Sequence, residues 1–216
     1  MADLGQTEQW ASEPSDLPGW TRGHVVAHLL GNAEGMLNLT RWASTGERTL
    51  MYPYPEARME AINERATWPL ARLRDELGVR ITEIAGAVDS LHEPLAAHDL
   101  LLGSGSAIEA WEIPAMRLRE VEIHHVDLAS GYSAADWSGR FVLRTLNQVV
   151  PFFAAHRTMP AAQFRATDTG RVWDFGQLGP DLLGRESDLL AWLIGRRHGH
   201  VLLSDGGTPD PAPAWV

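Results

Sequence analysis

"RLREVEIHHVDLAS", from Arg117 to Ser130, reads as part of one helix, roughly Glu112 to Ala129, that carries two acids and two adjacent histidines. Residues four apart on a helix sit one above the other on the same face, so Glu120 and His124 can reach one point in space. His125 points about 100° away, given 3.6 residues per turn. A carboxylate and an imidazole that converge in this way suit a divalent metal such as zinc, which accepts oxygen and nitrogen ligands at about 2 Å. Catalytic zinc takes three protein ligands and leaves a position open, so a third group has to come from another helix. His28, flanked by Val25 and Leu29 in "HVVAHLLGN", faces a bundle core and is the first choice; His24, one turn earlier on the same face, is the reserve. Glu–His pairs at this spacing also occur on ordinary surface helices, and the spacing alone does not separate the two cases. Glu122 and His125 read as solvent-facing groups, and Asp127 either caps a neighbour or supports a ligand imidazole from behind.

Outward from this stretch the chain divides in two. "SDLPGWTRGHVVAHLLGNAEGMLNLTRWASTGE" opens with turn residues and then spaces its apolar positions as a helix does, about Thr21 to Ser44. The prolines of "MYPYPEAR" interrupt it, and a long helical stretch follows to about Leu91, with a kink or a restart expected at Pro69. "HEPLAAHDLLLGSGSAIEAWEIPA" has little periodicity and reads as a loop with a short helix before Trp111. After "SGYSAADW" the pattern changes. "SGRFVLRTLNQVVPFFAAHR" is helical, "QFRATDTGRVWDFG" alternates around a turn as a hairpin does, a helix begins at Ser187 with Gly199 past its end, and "HVLLSD" forms a last short strand. A boundary near 130 to 138 follows, with helical residues 1–132 before it and an α/β part, 133–216, after it.

Eighteen basic against twenty-eight acidic residues give a net charge of −10, with no basic block. That balance argues against a nucleic-acid backbone or an anionic membrane as partner and in favour of a small molecule. No apolar run approaches the roughly 20 residues of a membrane helix, and "MADLGQTEQWASE" has no export-signal pattern, so a cytoplasmic location is expected. The 216 residues contain no cysteine. Disulfides, thiolate ligands and a cysteine nucleophile are therefore excluded, and any sulfur chemistry has to borrow its thiol.

Three segments, "GWTRGHVVAHLLGNAEGMLNLTRWASTGE", "MYPYPEAR" and "REVEIHHVDL", resemble the mycothiol-dependent maleylpyruvate isomerases, over about Gly19 to Leu146. The resemblance implies an α+β chain: an N-terminal DinB-like helical bundle, of four-helix type and holding zinc, followed by a small sterol-carrier-like α/β domain that closes over the site. It implies zinc on His28 of H-x-x-x-H and on Glu120 and His124 of E-x-x-x-H, the same triplet that the residues suggest by themselves. It also implies an arginine from a "GR" near a helix end, here Arg196 in "AWLIGRRHG", with Arg197 beside it. A guanidinium fork suits a substrate carboxylate, although basic groups near a helix C-terminus also serve the dipole. Only about eighteen residues precede Gly19, where such proteins usually have a full helix, so the first helix is expected to be short or the bundle incomplete.

The activity implied is cis–trans isomerisation of maleylpyruvate to fumarylpyruvate in aromatic degradation. Rotation about a double bond needs that bond to become single for a moment, which an adding thiolate achieves, and the absence of cysteine agrees with mycothiol as the source of the thiol. Zinc would favour the thiolate or polarise the substrate's carbonyl, and Arg196 would hold a carboxylate of the dianionic substrate. A mycothiol S-transferase shares the triplet and differs in the pocket. A non-catalytic binding module, with Phe152, Phe153, Phe164, Trp173 and Phe175 around an apolar cavity, is the reading from another class, against which stands the ordinary use of such rings as core.

Overall fold

The computed structural model describes residues 7–91, 100–102, 107–156, 161–176, 178–196 and 200–212. Contacts divide the chain into two units, Met1–Ser130 and Gly131–Val216.

The first unit is built around α2, Arg22–Thr45. Its buried positions, among them Val25, Leu30, Met36, Leu39 and Trp42, do not keep to one stripe, as expected of a helix packed on several sides. Around it lie α1 (Glu8–Ser12), α3 (Ala57–Arg65), α4 (Leu70–Asp89) and α5 (Ile113–Asp127). One core cluster joins Val25, Leu29 and Leu30 to Ile62, Leu73 and Leu77; a second joins Met36, Leu39 and Trp42 to Ile84, Leu100 and Ile113. The expected break at Pro69 is a restart, since α3 ends at Arg65 and α4 begins at Leu70. The first helix is short, five residues long.

Two arginine clamps set α2 against α5. At one end, Arg22 donates from Nε to the Leu128 carbonyl at 2.7 Å and from Nη2 to the Ala129 carbonyl at 3.0 Å, so the start of α2 caps the end of α5. Ala129 stands at φ 50, a left-handed conformation that costs an alanine about 1 kcal/mol, and Arg22 holds it there. At the other end, Arg117 donates from Nη1 to Asn32 Oδ1 at 2.7 Å and to the Leu29 carbonyl at 3.0 Å. The helices are therefore antiparallel, and residues near 28 on α2 must face residues near 120 to 124 on α5. Gly35 also permits a close approach. A Cβ there would stand 2.9 Å from Met51 Cε, so its absence lets the segment after α2 lie close against that helix.

The stretch before Trp111, expected as a loop, contains paired strands. Leu100–Leu101 (β1) and Ala107–Ile108 (β2) are antiparallel, and the short helix is a 3-10 turn, Ala110–Glu112. Two-residue strands carry no periodicity, so the sequence pattern gives no sign of them.

In the second unit, α6 (Gly139–His156) precedes a four-stranded sheet in the order β4-β3-β5-β6. The hairpin expected around "TDTG" is present as β3 (Gln163–Ala166) against β4 (Val172–Asp174). β5 (Asp181–Gly184), for which the sequence offers no strand signal, lies parallel to β3, and β6 (Leu202–Leu203) lies antiparallel to β5. Between them α7 runs from Glu186 to Leu193, and Gly195 at φ 77 reverses the chain, donating to the Trp192 carbonyl at 3.0 Å. The helix thus stops short of Gly199, the expected residue past its end, which lies outside the described residues. Phe153, Phe164 and Phe175 are buried, with the Phe164 and Phe175 rings edge to face at 4.9 Å; they are core. Among the described residues no helix is long and apolar enough to cross a membrane.

Candidate metal centre

The antiparallel register of α2 and α5 brings His28, Glu120 and His124 together, with one ligand atom from each within 4.8 Å of the others. His28 Nε2 lies 3.0 Å and His124 Nε2 3.7 Å from Glu120 Oε2, and the two imidazoles meet edge to face with centroids 4.4 Å apart. Ligands bonded at about 2.1 Å to one ion stand up to about 4 Å apart, so small side-chain rotations close this set around a cation. Two imidazoles and one carboxylate are among the donor sets that catalytic zinc uses, which leaves a coordination position open.

The charge states of the acid and the imidazole agree with that use. Burial lowers the pKa of His28 below 6.5, outweighing its hydrogen bond to Glu120, so the imidazole is neutral at neutral pH. Burial alone would raise the Glu120 carboxyl, but His28, His124 and Arg119 together bring it down to about 2. His124 Nδ1–H donates to Asp127 Oδ2 at 2.7 Å, and this fixes the tautomer that turns the Nε2 lone pair toward Glu120. Asp127 is 1% exposed, so it supports the ring from behind rather than from the surface.

His24, the reserve ligand, is used elsewhere. Its Nδ1 accepts from the Thr21 backbone N–H at 3.2 Å, in a reciprocal cap at the start of α2. Glu122 and His125 are half-buried rather than solvent-facing. Arg196 follows α7 in the second unit, where its Nη1 donates to the Ile194 carbonyl at 2.8 Å; Arg197 lies outside the described residues.

Sequence reasoning gives no role to the other face of His28. There a cavity of about 280 Å³ is lined by His28, Tyr52, Arg58, Arg65 and Glu34. Arg58 Nη2 stands 3.3 Å from His28 Nδ1. Burial raises the Tyr52 phenol, and the adjacent Arg58 charge opposes that shift. "MYPYPEAR" supplies both residues, and its two prolines signal only a helix boundary.

Comparison with known proteins identifies the family of this fold. The sequence profile of the mycothiol maleylpyruvate isomerase N-terminal domain matches residues 1–129. A crystal structure of a mycothiol-dependent maleylpyruvate isomerase superposes with a TM-score of 0.90 at 29% identity, over 97% of this chain and 88% of the other. The structure of a histidine-to-alanine variant of such an enzyme gives 0.88 at 28%, with the same coverage. No curated protein sequence matches the chain. With more than half of its length matched by that profile, the chain belongs to the mycothiol maleylpyruvate isomerase family, as a DinB-like helical N-terminal domain joined to a small sheet-containing C-terminal one.

Proposed function

We propose that the protein is a zinc- and mycothiol-dependent cis–trans isomerase that converts maleylpyruvate to fumarylpyruvate. The observation that carries this reading is the meeting of His28, Glu120 and His124 within 4.8 Å. These residues would hold the cation, and Asp127 would keep His124 in its ligating tautomer. A divalent cation bound there would supply a Lewis acid able to favour a thiolate or polarise a carbonyl oxygen, and the external thiol would supply the nucleophile that the cysteine-free chain lacks. Trp20 lies beside His28, with its ring edge to face and its centroid 5.9 Å from that of the imidazole. On the family resemblance, Arg196 would hold a substrate carboxylate through its planar fork.

Metal analysis of protein purified without chelator, followed by product analysis with maleylpyruvate and mycothiol, tests the reading. His28→Ala and His124→Ala should lose both metal and turnover. A folded, metal-free His124→Ala protein with full activity would refute it, and a stable thiol conjugate in place of the isomer would point to transferase chemistry.

A further inference from the structure

Arg58, in the wall of the His28 cavity, forms no ion pair with an acid among the described residues, unlike Arg22, Arg65 and Arg80. In the first unit Arg22 pairs with Glu13, Arg65 with Glu34 at 2.7 Å, and Arg80 with Glu83 and Glu76. Glu34, the acid in the wall of the His28 cavity, is taken by Arg65 and also approached by Arg80 at 3.6 Å. Among the described residues no carboxylate forms an ion pair with Arg58. Its contacts are His28 Nδ1 at 3.3 Å, a weak one from Nη1 to Met59 Sδ at 3.8 Å, and the neighbouring Tyr52. A guanidinium has five N–H donors, so these contacts leave donor capacity, with a charge that no acid pairs among the described residues, in the wall of the cavity.

We propose that Arg58 is a substrate-binding residue that holds a carboxylate of a dicarboxylate beside the His28–Glu120–His124 centre, from within the first unit itself. The proposal takes its substrate class from the function proposed above. A carboxylate fits because two parallel N–H donors match its two oxygens, and because a half-enclosed cavity screens the attraction less than open water does.

The contact with His28 gives the residue a second property. A guanidinium only donates, so the bond at Nδ1 places the imidazole proton on Nε2, where it points at Glu120 Oε2, 3.0 Å away. Ligation of a cation through Nε2 needs the opposite tautomer, with the proton on Nδ1. That N–H would then meet a group unable to accept it. Arg58 at Nδ1 and a cation at Nε2 thus require opposite tautomers of His28, and a cation held at the centre would release the guanidinium from His28 for an anion.

Calorimetric titration of the zinc-loaded, full-length protein with maleate, without thiol, tests this together with kinetics on maleylpyruvate. Arg58→Gln keeps the polarity of the side chain and most of its length but removes the charge. It should bind maleate about tenfold or more weakly, keep zinc at the wild-type ratio, and raise KM more than it lowers kcat. Arg58→Lys, which restores the charge without the fork, should recover part of the affinity. Wild-type maleate affinity in Arg58→Gln overturns the assignment, and so does loss of zinc from that variant, which would make Arg58 a support for the ligands. Wild-type protein that holds no zinc refutes the metal reading alone; maleate titration of metal-free wild type and Arg58→Gln then decides the role of Arg58 by the same criterion.

Discussion

Asp127→Asn isolates the support behind the metal site from the ligands themselves. The carboxylate is 1% exposed and accepts from His124 Nδ1 at 2.7 Å, the short distance of a charge-assisted bond. It fixes the tautomer and with it the direction of the Nε2 lone pair, the one that faces Glu120. Asparagine keeps an oxygen in place but loses the charge, and its amide can also turn a donor toward a donor. Removal of such a partner typically costs ten- to a hundredfold in metal affinity, which at about 1.4 kcal/mol per tenfold is about 1.4–2.8 kcal/mol. The backbone at this position should stay in place, because the Asp127 carbonyl that accepts from Asp16 N–H at 2.9 Å is untouched. Competition for zinc against a chromophoric chelator measures the change, with circular dichroism as a check on folding. A folded Asp127→Asn protein whose zinc affinity lies within twofold of wild type would refute the argument and make the contact an ordinary core hydrogen bond.

Two further outcomes follow from the same helices. His24→Ala should cost about 1 kcal/mol through the weakened cap at the start of α2 and leave the zinc content unchanged; zinc loss from a folded variant would make His24 a ligand after all. Stability of chelator-treated protein should fall with acid in two windows. His28 titrates below 6.5 when folded, so as pH drops through 6.5 the unfolded chain takes up the proton first and stability is lost until the folded pKa is passed. Glu120, brought from 4.5 to about 2, contributes stability above 4.5 that disappears as pH falls toward 2. Denaturant unfolding at stepped pH values checks both, and a slope just below pH 6.5 that persists unchanged in His28→Gln would show that another group causes it.

The parts of this chain that are legible in the sequence are those decided within a few residues. Thr21 before an apolar helical run locates the start of α2, and the four-residue step from Glu120 to His124 puts two candidate ligands on one face, because both depend only on helix geometry. Asp127 is visible as a possible support because it is one turn from His124. What depends on distant partners is not legible. β5 is four residues between Pro180 and Arg185, and only its parallel pairing with β3 makes it a strand. His24 is taken up by a local cap while His28 meets Glu120 and His124, and Arg58 forms no ion pair among the described residues. No spacing rule expresses a missing partner.

That absence bears on how a chain of net charge −10 can handle anionic molecules. Its acidity is spread over the surface, where salt screens it within about 10 Å. Around Glu120 the balance is reversed locally. Arg117 is 8% exposed and held by Asn32, and Arg119 helps to keep the carboxyl ionised against burial. The hydrogen bond and charge of His28 do most of that, with His124 and then Arg119 adding to it; without them desolvation would favour the protonated acid, a poor ligand for a metal. Arg119 thus adds to the local positive potential that keeps the Glu120 carboxyl ionised. The field that matters at this centre is the one made by residues a few ångströms away and shielded from water, so the overall charge of the chain has little bearing on the ligands it accepts.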